Sequence, residues 1–156
     1  MPTQLTTGDL VTAANWNSIP VGEIDYTQAT ANVGSITGTA VDITSTVSHT
    51  FVSGRAYRIT LGWGGVTSTV ALDRATIRIL LDAGQMFNRQ VVIRSTGTTD
   101  LGGLTVSNRF TCPGDISAAA HTFKGQAFRD AGSGTLTVIG STVAPIYLLL
   151  EDIGLA

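Results

Sequence analysis

The sequence predicts an all-β chain: an antiparallel β-sandwich or jelly roll of about eight to nine strands, preceded by a short N-terminal arm with one or two helical turns. Three observations carry this. Apolar residues alternate with polar ones at period two through most of the chain, as in a half-buried strand. Clusters of Gly, Ser, Thr and Asp interrupt the alternation at the spacing of a sandwich or barrel, about 8–12 residues. No 3.6-residue pattern runs beyond the first twenty residues.

The arm, residues 1–20, differs in kind from the domain, residues 21–156. Thr12-Ala13-Ala14-Asn15-Trp16-Asn17 suits one or two helical turns with Thr12 as N-cap, and Pro20 prevents a longer helix. A helix this short is not stable alone in water. The arm is therefore expected to order by docking on a partner, with Trp16 as anchor and Leu10, Val11 and Ile19 as further apolar contacts.

The strands follow in order: Gly22 to Gln28, Ala40 to Phe51, Arg55 to Trp63, Arg74 to Asp82, Met86 to Arg94, Leu104 to Cys112, His121 to Arg129, Thr135 to Gly140 and Pro145 to Ile153. In the third, Tyr57, Ile59, Leu61 and Trp63 share one face and Ala56, Arg58, Thr60 and Gly62 the other. Ala75, Ile77, Ile79 and Leu81 repeat the pattern, with Leu80 as the exception, and so do Leu104, Val106, Phe110 and Cys112. Asp82 to Gln85 reads as a hairpin turn, and residues 95–103 and 130–134 as longer connections. Gly62-Trp63-Gly64-Gly65 lacks the lysine and following helix of a phosphate cradle, so it reads as a strand end with a bulge or tight loop. Trp63 is then either core or an exposed aromatic able to stack on a sugar ring.

The last strand is apolar on both faces: Ile146, Leu148 and Leu150 on one, Tyr147, Leu149 and Ile153 on the other. A sandwich strand ordinarily hides one face. The second set therefore lies either in a subunit interface, under the arm or a loop, or within a doubly covered central strand.

Composition narrows the function classes. Charged residues make up 13% of the 156, against about 25% in an ordinary domain. Gly, Thr, Ser and Ala fill the difference, so the expected surface is neutral and rich in hydroxyls. Nine Lys+Arg against eleven Asp+Glu, with Lys124 the single lysine, leave no basic stripe to neutralise phosphates, and nucleic acid is excluded as a partner. The longest apolar run, Ala144 to Leu150, contains a proline and is too short to span a bilayer. Met1 to Thr6 has neither the basic start nor the apolar stretch of a secretory signal, which predicts synthesis in a cytoplasm. Cys112 stands alone and can form no intrachain disulfide. None is needed, because a domain of this size buries roughly 70% of its unfolded surface.

Catalytic chemistry finds little footing. A hydrolase needs a nucleophile, a base and an orienting group within hydrogen-bond reach, and only His49 and His121 are available as histidine bases. His49 falls on the apolar face of Val41, Ile43, Val47 and Phe51, where a structural role is the plainer reading. His121 opens a strand with nothing to mark it as a base. Cys112 shares a face with Leu104, Val106 and Phe110 and reads as a small buried hydrophobe. There are too few Cys and His for a zinc site, and the carboxylates sit mostly at turns and strand ends, where capping accounts for them. No catalytic, cofactor or metal residue is assigned.

Thr7 to Asn17, followed by Gly22-Glu23-Ile24-Asp25-Tyr26 and Thr30 to Thr37, resembles the opening of small structural proteins of tailed bacteriophages. Ser53 to Thr60, Ala131 to Thr137 and Leu150 to Gly154 are similar to later parts of the same pattern, so the resemblance touches most of the chain. It implies a virion structural role, a homotrimer and no catalytic residues. Without shaft-forming repeats or heptads, the chain fits a capsid decoration protein that is made in the host cytoplasm and binds the major capsid protein on the head surface. The alternative is a minor tail or receptor-binding protein that contacts host glycans.

Overall fold

The computed structural model describes residues 20–82, 84–87, 93–94 and 101–156. All regular structure among them is β: β1 Gly22–Ala29, β2 Val33–Ile36, β3 Val41–Asp42, β4 Val47–Thr50, β5 Arg55–Ser68, β6 Arg74–Leu81, β7 Gly84–Phe87, β8 Ile93–Arg94, β9 Leu101–Cys112, β10 Ala120–Ala131, β11 Leu136–Ile139 and β12 Ile146–Leu155. They form two six-stranded sheets in which every strand pair is antiparallel. The fold is the predicted β-sandwich.

The first sheet runs β1-β12-β5-β11-β2, with β9 along the other edge of β5. Its centre is the 14-residue β5, which pairs with β9 over most of its length, with β12 over its first half and with β11 at its end. The second sheet runs β3-β10-β6-β7, with β4 also on β10 and β8 also on β6.

Twelve strands replace nine for local reasons. The stretch from Ala40 to Phe51 divides into β3 and β4 because the Gly125 N–H donates to the Thr44 hydroxyl at 2.8 Å, so a side chain interrupts the ladder on β10. Met86 to Arg94 yields β7 and β8, with residues 88–92 outside the described set. β2 carries no alternation to find, since Ser35 takes φ 60° and the pairing with β11 slips there.

The glycine-rich stretch corrects the expected strand end. β5 continues straight through Gly62-Trp63-Gly64-Gly65. A Cβ at Gly62 would stand 2.3 Å from the Tyr147 ring, and one at Gly64 would stand 3.0 Å from the carbonyl oxygens of Ile139 and Ala144. These glycines admit neighbours; they do not end the strand. On the facing strand a Cβ at Gly103 would approach the Trp63 carbonyl oxygen to 2.6 Å.

The core lies between the sheets. Tyr57, Ile59, Leu61, Val106, Phe110, Ile146, Leu148 and Leu150 from the first meet Val47, Ile77, Ile79, Phe123 and Ala127 from the second, all buried. Each large side chain contributes about 1.5–3 kcal/mol by leaving water. Phe51 is the hub of the aromatic contacts, with ring centroids 4.7 Å from Tyr57, 5.6 Å from Phe110 and 5.8 Å from Phe123. Trp63 is buried at 3% exposure, which selects the core reading over the exposed one, and Cys112 is fully buried.

Two buried carboxylates pin the loops and edges. Asp73 accepts from the Ser68 hydroxyl and from the Ser133 N–H, joining the β5–β6 loop to the β10–β11 loop. Asp152 is paired with Arg55, with Nη2 to Oδ1 at 2.7 Å, and also accepts from the Gly154 N–H at 2.9 Å.

Candidate interaction surface

Alternation along β12 sorts its side chains cleanly. Ile146, Leu148, Leu150 and Asp152 face the core and are buried, while Tyr147, Leu149, Glu151 and Ile153 point outward and are half-buried. The register of the neighbouring strands then builds an outer face in rows. Gln28, Tyr147, Gly62 and Thr105 form one; Tyr26, Leu149, Thr60 and Ser107 the next; Glu23, Glu151, Arg58 and Arg109 the third.

The first two rows carry no charge, and Tyr26, Tyr147 and Leu149 are their large side chains. Tyr147 lies across the bare backbone of Gly62, and its ring centroid is 6.2 Å from that of Tyr26. The Tyr26 hydroxyl donates to Gln28 Oε1 at 2.9 Å, and Thr60 and Ser107 share a hydrogen bond at 2.9 Å. The third row closes the stripe with charge. Arg58 grips Glu151 through Nε at 2.8 Å and Nη2 at 3.0 Å, and this guanidinium holds the Glu151 carboxyl below the usual carboxylate range.

At its other end the stripe opens into a cavity of about 450 Å³ bounded by Trp63, Leu104, Thr105, Val143, Pro145 and Tyr147. Leu104 and Val143 stand out at its rim, 46% and 93% exposed. The Trp63 indole N–H is buried without a hydrogen-bond partner among the described residues. A second cavity, about 510 Å³, lies where the chain enters the domain, between Val21, Glu23, His49, Val52, Arg55 and Asp152. Burial holds the His49 imidazole below its ordinary pKa, against the opposing pull of the Asp152 and Asp25 carboxylates.

Of the residues expected at an interface, the structure brings Tyr147 and Leu149 together in one stripe. Ile153 is half-buried at a β-bulge beyond the Arg58–Glu151 pair, outside that stripe. Leu10, Val11, Trp16 and Ile19 lie outside the described residues. Leu104, expected to share the buried face of Val106, Phe110 and Cys112, is 46% exposed because it lies at the cavity rim, beyond the core; Tyr26 and Val143 were not singled out from the sequence. Tyr26 sits beyond a bulge at Glu23/Asp25 that shifts the alternation, and Val143 belongs to a loop, where periodicity says nothing.

No family model and no curated protein matches the sequence. Among solved structures, the T=1 particles derived from infectious bursal virus are similar at 14% identity and TM-score 0.50, over 100% of this chain and 41% of that one. The Gx strain of infectious bursal disease virus gives 15% identity and TM-score 0.49, over 100% and 42%. A sugar-binding protein, the EclA C-terminal domain, gives 13% and 0.43, over 95% and 98%. The chain spans about two-fifths of those viral chains. At these identities the likeness extends to the fold alone, a sandwich of the kind found in that T=1 viral particle.

Proposed function

We propose that this chain is a virion structural protein, a decoration protein of a tailed-phage head that assembles as a homotrimer and binds the major capsid protein. The observation that carries the reading is the outer stripe of Tyr26, Tyr147 and Leu149: apolar, uncharged, laid on a sheet whose opposite face already supplies the core. Such a half-buried face contributes less to folding than the core and is suited to burial against another subunit. The sequence resemblance to phage structural proteins supports the same role, and the arm with Leu10, Val11, Trp16 and Ile19 supplies a second attachment. Many modest contacts repeated over a lattice hold a shell by multivalency. A closed trimer avoids filament growth.

Three measurements test this. Purified particles should carry the protein in hundreds of copies on the head, whereas a few copies at the tail would overturn the decoration role. A chain lacking residues 1–20 should stay folded and lose binding to capsids; undiminished binding would remove the arm from the mechanism. Leu149→Asp should shift the protein from trimer to monomer in sedimentation, and a parent chain that is already monomeric overturns the trimer.

A second reading, a minor tail protein contacting host glycans, is favoured by the cavity beside Tyr147. There Tyr147, Thr105 and the exposed Leu104 and Val143 border one open space. Retention on a glycan array that is lost in Tyr147→Ala would support it.

A further inference from the structure

Three polar side chains from different parts of the chain meet at one end of the sandwich. Asp82 closes β6, His121 is the second residue of β10, and Ser117 lies in the connection between β9 and β10. Ser117 Oγ is 2.9 Å from His121 Nε2, and His121 Nδ1 is 2.8 Å from Asp82 Oδ2. The backbone holds this arrangement in place. The Asp82 N–H donates to the Thr122 carbonyl at 2.8 Å, and the Thr122 N–H and hydroxyl donate back to Asp82 Oδ1 at 2.9 and 3.1 Å. Asp82 takes φ 50°, a left-handed conformation that aspartate tolerates better than most residues. The His121 ring is backed by Phe51 at 6.0 Å, with its side chain 15% exposed, and Ser117 is open to solvent.

The protonation pattern follows from the partners. The hydrogen bond from His121, and after it the Thr122 N–H, hold the Asp82 carboxyl below the usual carboxylate range, so it is ionised at neutral pH. A carboxylate only accepts, which places an imidazole proton on Nδ1; in the neutral ring Nε2 is then the acceptor that faces the Ser117 hydroxyl. This is the relation of nucleophile, base and orienting carboxylate that acyl transfer requires. The other titratable groups nearby are His49, opposite His121 in the β4–β10 register, and Asp115, which accepts from the Thr111 N–H and hydroxyl.

We infer that Ser117, His121 and Asp82 form a hydrolytic site for small, uncharged carboxylic esters, an activity separate from the structural role proposed above. His121 Nε2 takes the Ser117 proton as Oγ bonds to the acyl carbon. The ester C–O bond breaks, and the leaving alkoxide departs as an alcohol with that proton. Water, deprotonated by the same Nε2, then attacks the acyl-serine; the acid leaves, and Ser117 recovers its proton. Asp82 acts through His121 as a positioning residue. Ser117 is exposed, so the ester arrives from solvent. General-base assistance of this kind contributes about 10²–10⁴-fold.

The experiment uses the full chain with p-nitrophenyl acetate, peptide mass mapping of the acetyl adduct, and hydrolysis rates as a function of pH. The expected result is acetyl on Ser117, with a rate at least fivefold above that of Ser117→Ala and of His121→Gln at unchanged melting temperature. In Asp82→Asn the rate should fall and its pH profile shift, which a merely structural role would not produce. Acetyl on Lys124 or His121 with none on Ser117, or a Ser117→Ala rate within fivefold of the parent, overturns the proposal. The adduct map needs no variant, so a substitution that failed to fold would not blunt the test.

Discussion

The two faces of β12 place the same chemistry in two environments one residue apart. Facing the core, Asp152 pairs with Arg55 at side-chain exposures of 6% and 11%; facing outward, Glu151 pairs with Arg58 at 21% and 48%. Leu148 is fully buried on the first face, and Leu149 is half-buried on the second. Residue type therefore does not set what each group contributes. Removal from water does, and the pleat assigns that by parity. The inner face specifies the fold, while the outer face is free to carry a function that folding does not require.

Breaking the inner pair should have the largest effect. Asp152→Ala removes the carboxylate from a largely buried ion pair and is expected to cost at most about 3–5 kcal/mol. Glu151→Ala, next door, should cost about 0–1 kcal/mol. Urea unfolding of the two variants gives the comparison directly, and equal losses would refute the assignment of faces. Added salt should narrow the difference between parent and Glu151→Ala while leaving the Asp152→Ala deficit in place, because screening reaches exposed pairs and largely spares buried ones.

The leucines repeat the test without charge. Leu148→Ala removes a fully buried side chain and should cost about 2–5 kcal/mol, whereas Leu149→Ala should stay within about 1 kcal/mol of the parent. If Leu149→Ala destabilised as much as Leu148→Ala, the outer stripe would be a second core and not a docking face.

Much of this was legible beforehand where periodicity speaks. The alternation from Arg55 and from Arg74 placed Tyr57, Ile59, Leu61, Ile77 and Ile79 inward, as found, and the apolar second face of the last strand was visible in Tyr147 and Leu149. Local patterning failed wherever contacts between distant segments decide. Gly62 reads as a breaker until Tyr147 is seen lying on it, a contact 85 residues away that no window covers. Asp82 reads as a turn residue and His121 as a strand opener, and nothing in the sequence pattern marks Ser117. Their only local signal was the four-residue spacing of Ser117 and His121, and it acquires meaning only when the β6–β10 pairing delivers the carboxylate.

Acid should act next in size, through the carboxylates that folding stabilises in their charged form. Asp73 is held below the usual carboxylate range chiefly by the Ser68 hydroxyl, with further help from the Ser133 and Gly134 backbone. Its folded pKa lies below its unfolded value, so its contribution is complete above about pH 4 and is lost as pH falls through the lower, folded value. Asp73→Ala should cost about 1–3 kcal/mol at neutral pH by leaving its donors unpaired, and should flatten the acid limb of a stability-against-pH curve. A variant whose acid limb matched the parent's would show that Asp73 is not the carboxylate responsible.

The smallest effect comes from His49, which tests the inner ion pair from the cavity beside it. Burial against Phe51 and Tyr57 lowers its pKa, so the folded state binds the proton less readily than the unfolded chain does. Stability is therefore fully retained above the unfolded value, about pH 6.5, and declines as pH drops through the lower folded value. His49→Gln should abolish that shallow slope without changing stability at pH 8. The Asp152 carboxylate opposes the shift, since a negative charge nearby favours the imidazolium. Removing it in Asp152→Ala should depress the His49 pKa further and deepen the loss of stability below about pH 6.5, as read by NMR titration of the imidazole. A His49 that titrates identically in the parent and in Asp152→Ala would mean that Arg55 already cancels the Asp152 charge in full, and that the inner face presents no net field to the cavity.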